Sequence, residues 1–286
     1  MVRKRIFKSE EGKREVMAHY SKLIGGISIP YQKHFVDTSY GKTFMIETGH
    51  SSKPKVFLFH GSCSNSAMWF GDLIPLSQYF NCFAVDIIGE AGKSEENRLN
   101  LQSEEYALWI HDFLDKLGVE RCHVIGNSFG GWMGLKYATN FPERVQTLTL
   151  IATSGVTNTK FSFLMKSIFY SFMGERGMLK LNEYIFGSDE IPQIAIETVN
   201  LIFRNFNPMM GALPVYKDSE LKKLSMPVLY IAGENDVTVD VKKTAERLRK
   251  LLKKQEIKII KNNGHVLYQS TEEIIPFIQT HIGVTT

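Results

Sequence analysis

Gly126-Asn127-Ser128-Phe129-Gly130 puts the residue types of a serine nucleophile at the spacing that nucleophile needs. It follows an apolar pair, Val124-Ile125, and precedes a helix-like run over residues 132–138. A G-x-S-x-G stretch in that setting reads as a strand–turn–helix elbow. The turn is so tight that Ser128 must adopt a strained backbone, and side chains two before and two after it would collide. The hydroxyl then stands at the strand tip, with the next helix aiming its N-terminus at the reacting centre. An ordinary glycine-rich turn has the same five residue types, so the surrounding chain has to decide between the two.

The elements that would position this serine alternate along the chain. Residues 27–36 and 43–47 form an antiparallel pair turning at Tyr40-Gly41. Residues 56–59 are a short apolar run, as a buried central strand should be. Helical spacing at 66–79, 103–117, 240–254 and 271–281 alternates with strands at 82–88, 122–125, 145–152, 228–232 and 257–260. Such alternation predicts an α/β fold with a mostly parallel central sheet flanked by helices. Residues 153–220 break the rhythm: no strand is legible, and Phe161, Phe163, Met165, Ile168, Phe169, Phe172, Met173, Phe203, Phe206, Met209 and Met210 enrich the segment. It reads as a helical cap insertion between two parts of a core, 27–152 and 221–286. Its aromatic and methionine side chains would pack against the core and line an apolar pocket.

The 286 residues, 43% of them hydrophobic, suffice for a full core. The excess charge of +4 is carried by residues 1–24, with seven Lys/Arg against three Glu; the remainder balances. Residues 1–26 therefore read as a basic helical arm, solvated rather than built for nucleic acid, which would want a basic face on a folded module. No run of 18 residues is free of charge, so no membrane span is expected, and the start lacks the apolar stretch of a signal peptide. Cys63, Cys82 and Cys122 show no C-x-x-C spacing and read as reduced thiols of a cytoplasmic protein.

With the elbow stand His60-Gly61-Ser62-Cys63, Asp86-Ile87-Ile88-Gly89 with Gly92 and Ser94, Gly233-Glu234-Asn235-Asp236, and Gly264-His265. In this order the chain resembles the α/β-hydrolase superfamily, specifically its capped serine carboxylesterase-like group. One departure is visible: the stretch from Asp86 to Ser94 carries one more residue than the usual D-x-x-G-x-G-x-S. That loop is expected to shape the sheet edge, with little effect on chemistry.

A serine hydroxyl needs an adjacent base. The resemblance implies His265, which follows the last predicted strand and so faces the rim that holds Ser128. The base needs a carboxylate partner. Asp236 is the choice over Glu234 and over Asp240, which reads as a helix cap. The loop Ala152-Thr153-Ser154-Gly155, where some family members keep the acid, has none. The order Ser128, Asp236, His265 is the family's order. The oxyanion would be held by the backbone N–H of Phe129 and a second from Ser62, with Cys63 the neighbouring candidate. His60 reads as a support of that loop.

The resemblance implies hydrolysis of a small-molecule carboxylic ester with an apolar portion through an acyl-enzyme on Ser128, with no metal or organic cofactor. Serine at the elbow argues against dehalogenases and epoxide hydrolases. Carbon–carbon bond hydrolases, lactonases, thioesterases and perhydrolases share the triad, as do ligand-sensing proteins on the same fold. Substrate choice is set by the cap.

Overall fold

The computed structural model describes residues 5–187, 191–209, 212–267 and 270–283. Arg3 and Lys4 of the basic segment and Met210 of the aromatic segment lie outside these. In chain order the elements are α1 (Glu10–Gly25), β1 (Tyr31–Thr38), β2 (Gly41–Thr48), β3 (Lys55–Phe59), α2 (Phe70–Leu76), β4 (Asn81–Val85), α3 (Glu105–Lys116), β5 (Cys122–Asn127), α4 (Phe129–Asn140), β6 (Val145–Ile151), α5 (Phe161–Ser171), α6 (Gly174–Phe186), α7 (Gln193–Asn205), α8 (Asp218–Leu221), β7 (Val228–Gly233), α9 (Val241–Leu251), β8 (Gln255–Ile260) and α10 (Thr271–Thr280).

The eight strands form one sheet in the order β1-β2-β4-β3-β5-β6-β7-β8. Strand β2 runs antiparallel to both neighbours, and the pairs from β4 onward are parallel. Successive side chains leave a strand on opposite faces. Phe57, Phe59, Val124 and Tyr230 therefore join α3, α4 and α9 on one face, and Val56, Leu58, Ile125 and Ile231 join α1, α2 and α10 on the other. Burial on both sides explains why the central strands read as continuous apolar runs. The run at 82–88 is longer than β4 because Ile87 and Ile88 are buried loop residues past its end.

Helix α1 is not a solvated arm. Ser9 caps it by accepting the Gly12 N–H at 3.0 Å. Val16, Tyr20 and Ile24, four apart, bury one stripe at 1% exposure each, worth roughly 1.5–3 kcal/mol per side chain. The basic residues Arg14 and Lys22 lie on the outer side. Ahead of the helix, Ile6 and Phe7 are buried against Ile202 and Phe206.

Between β6 and β7 lie α5 to α8. Helix α7 packs on α1, and α5 packs on α6. None of the residues of α5 is buried: Phe161 is 75% and Phe169 62% exposed. The aromatic stripe of this helix thus faces outward rather than into the core, because the helix rests on α6 and not on the sheet.

The elbow is fixed by two close approaches. A Cβ on Gly126 would stand 2.3 Å from the Gly130 carbonyl oxygen, and one on Gly130 would stand 2.1 Å from that of Phe59. Glycine at 130 therefore lets α4 lie directly against β3. Gly130→Ala is expected to destabilise the fold by about 3 kcal/mol, a fall in Tm of roughly 6–10 °C by differential scanning calorimetry. An unchanged Tm would show that α4 can retreat from β3 without cost.

Candidate active site

Strands β3, β4, β5, β7 and β8 run parallel, so the loops at their carboxyl ends share one rim. Ser128 follows β5 directly. Its φ of 49° lies in the left-handed region, a conformation that costs a non-glycine residue roughly 1–3 kcal/mol. Its own N–H donates to the Ile151 carbonyl at 2.8 Å, and its carbonyl accepts from Trp132 at 3.0 Å, pinning the turn between β6 and α4.

The rim brings the three side chains named from sequence together. His265 Nε2 stands 3.2 Å from Ser128 Oγ, and His265 Nδ1 stands 2.7 Å from Asp236 Oδ2. Asp236 is fully buried. Its other oxygen, Oδ1, accepts from the Thr238 N–H and hydroxyl and from the Val239 N–H. Burial pushes the Asp236 carboxyl up, but the facing His265 ring and the donors from His265 and Thr238 outweigh it and hold the group below the usual aspartate value. Its ionised oxygen thus faces Nδ1, which keeps the proton there and the lone pair of Nε2 toward the serine. The two loops are also tied through their backbones: Asn235 donates to Asn263 and Glu234 to Ile260, each at 2.9 Å. Glu234 itself is exposed. Asp240 caps α9 by accepting the Lys243 N–H at 3.1 Å.

Thr238 was not singled out in the sequence. The signal is the spacing Asp-x-Thr, which lets a side chain bond the backbone two residues on. Its hydroxyl also lies 2.8 Å from His265 Nδ1.

Opposite the serine lies the loop after β3. A Cβ on Gly61 would be 3.8 Å from Ser128 Cβ. His60 is buried and spans the loop: its Nε2 accepts the Ile87 N–H at 3.0 Å, so its proton sits on Nδ1 and is donated to the Gly61 carbonyl at 2.7 Å. Burial pulls its pKa down to about 4, so the ring is neutral and committed. Phe129 opens α4, where the first N–H groups have no helical acceptor. The Cys63 N–H donates to Glu90 Oε2 at 2.6 Å. That bond occupies the Cys63 amide, one of the two candidates for the loop's donor. Sequence reasoning also missed Glu90, whose partner is 27 positions away.

The Asp86–Ser94 loop does not border the sheet. Strand β4 lies inside it, between β2 and β3. Asp86 Oδ1 accepts from Tyr20 Oη and from the Ser66 N–H, each at 2.8 Å, and Asn65 Nδ2 donates to the Ala91 carbonyl at 2.9 Å. The loop is thereby stitched to the loop opposite Ser128, which corrects the expectation that it acts only at the edge.

An eight-stranded, mostly parallel sheet with a serine at a strand–helix elbow and an acid and a histidine on later strand ends defines the α/β-hydrolase class. The family model described as alpha/beta hydrolase fold matches residues 54–179. Carboxylesterase YbfK of Bacillus subtilis (strain 168) is 30% identical over 93% of this chain and 92% of its own length. The chain belongs to the α/β-hydrolase family. An uncharacterized carboxylesterase, nap, of the same organism is 26% identical over 88% of each chain. The crystal structure of carboxylesterase CesB (YbfK) from Bacillus subtilis superposes with a TM-score of 0.85 at 26% identity, covering 96% of this chain and all of that one.

Proposed function

We propose that the chain is a serine carboxylesterase. The observation that carries this reading is the continuous line from Asp236 Oδ2 through the His265 ring to Ser128 Oγ, at 2.7 and 3.2 Å. Ser128 attacks the ester carbonyl while His265 Nε2 takes its proton. The Phe129 and Ser62 amides hold the oxyanion, each typically worth about 3–4 kcal/mol in the transition state. His265 then protonates the departing alcohol. In the second half it activates water, which cleaves the acyl-enzyme and restores the serine. These steps are assigned to side chains and backbone amides of the chain itself. The carboxylesterases named among its relatives support ester as the substrate class.

Residues 153–220 act as a cap on a core of 27–152 and 221–286. In support, Thr159 bridges Val239, the Lys160 N–H donates to Thr238, and Lys160 Nζ reaches the Asp236 carbonyl, so the insertion starts across the acid loop. A cavity of about 430 Å³ lies between α6, at Glu183, Tyr184 and Ile185, and the loops carrying Asn235, Val237 and Asn262. Among the described residues no helix is long and apolar enough to cross a membrane. Three unpaired buried thiols fit a reducing cytoplasm.

A p-nitrophenyl ester series from acetate to decanoate tests the assignment by stopped flow. A burst of p-nitrophenol near one equivalent per chain, followed by slower steady turnover, is expected for an acyl-enzyme. Absence of turnover on every member would remove it.

A further inference from the structure

We propose that Glu90 is a positioning residue for the oxyanion-binding loop: its buried carboxyl holds the Cys63 amide and so fixes where the Ser62 N–H points. This deepens the esterase reading and rests on it.

The argument begins with a buried acid that the mechanism does not use. Glu90 is 1% exposed. Its Oε2 takes the Cys63 N–H at 2.6 Å, and among the described residues its Oε1 has no hydrogen-bond partner. A buried carboxyl with one bond is costly, and such groups persist where their placement does something. The residue it grips is also strained, since Cys63 has a φ of 53° and is not glycine.

The peptide bond is planar and trans, so an N–H points opposite the carbonyl of the same plane. In the Gly61–Ser62 plane, the Gly61 carbonyl accepts from His60 Nδ1, which turns the Ser62 N–H away from His60. In the next plane, Ser62–Cys63, the Cys63 N–H is held by Glu90. Ser62 therefore sits between two pinned planes. Freed at Glu90, the second plane could rotate and relieve Cys63; the Ser62 Cα, which both planes share, would shift with it and carry the Ser62 amide off the reacting oxygen, since His60 alone then holds the first plane. Glu90 is itself held, because its N–H donates to Ile87 at 3.1 Å and its carbonyl accepts from Gly92 at 2.8 Å. Burial pushes its carboxyl up to about 7, against the Cys63 amide and Arg98. In either protonation state an acceptor oxygen remains for Cys63.

The test compares kcat and KM of the full chain, Glu90→Ala and Glu90→Gln on an ester and on the matching thionoester, whose sulfur is a poor acceptor for oxyanion donors. Glu90→Ala is expected to lower kcat on the ester by about 10–100-fold with KM little changed. The ester-to-thionoester ratio of kcat/KM should fall with it, because the lost stabilisation is specific to oxygen. Glu90→Gln keeps an acceptor and should recover most of both. If the alanine variant does not fold, Glu90→Asp, one methylene too short to reach Cys63, takes its place with the same expected loss. An unchanged ratio in the alanine or aspartate variant overturns the proposal, as does a glutamine variant that loses the ratio. The esterase reading fails separately, if the parent chain turns over no ester.

Discussion

Ser128→Ala is expected to lower kcat on p-nitrophenyl acetate by about 10⁶-fold, to the residual rate that binding and oxyanion donors alone sustain. The substitution removes one atom, the oxygen 3.2 Å from His265 Nε2. The imidazole then faces a methyl group and has no hydroxyl to deprotonate. Stability should change little. The lost hydrogen bond is long, and its net worth is about 1 kcal/mol or less. The strained φ of 49° persists, because alanine has the same Cβ as serine. The measurement pairs steady-state turnover with a thermal scan of the same sample. Turnover close to that of the parent chain, with the fold intact, would move the nucleophile elsewhere.

The difference between what was legible in the sequence and what was not follows the range of the interactions. Ser128, Asp236 and His265 are far apart in sequence, but each follows a strand whose apolar run is plain. The parallel order of β5, β7 and β8 carries all three to one rim. The glycines flanking Ser128 were legible because their need is local. The 86–94 loop was misread because its partners lie on another loop: the link between Glu90 and Cys63 spans 27 residues and has no periodicity. Ile87 and Ile88 extended the apparent strand for a similar reason, being apolar through loop burial. Helix α1 was misread because charge count outweighed pattern. Val16, Tyr20 and Ile24 make a stripe one turn apart that predicts docking, and the seven basic residues of 1–24 drew the reading outward. In α5 the same apolar pattern misled in the other direction, since periodicity marks a face but not what covers it.

Asp236→Asn is expected to cost about 10⁴-fold in kcat, with KM nearly unchanged, because it inverts a hydrogen bond while keeping the shape. The carboxylate accepts from Nδ1 at 2.7 Å and leaves Nε2 free to take the serine proton. Its Oδ1 already accepts three donors from Thr238 and Val239. An asparagine must keep its oxygen toward those donors, so its NH₂ turns to Nδ1 and drives the ring proton to Nε2, the nitrogen that should act as base. The pH dependence of stability carries a second signature. The Asp236 carboxyl sits below its ordinary value in the fold. Its contribution is therefore present above the unfolded-state value and is lost as pH falls through the lower folded one. The Tm gap between parent and variant should shrink on titration from neutral toward strongly acid pH; a gap that is flat or widens there would contradict a stabilised carboxylate. The double variant with Ser128→Ala should be no slower than Ser128→Ala alone, because an oriented base has nothing left to deprotonate.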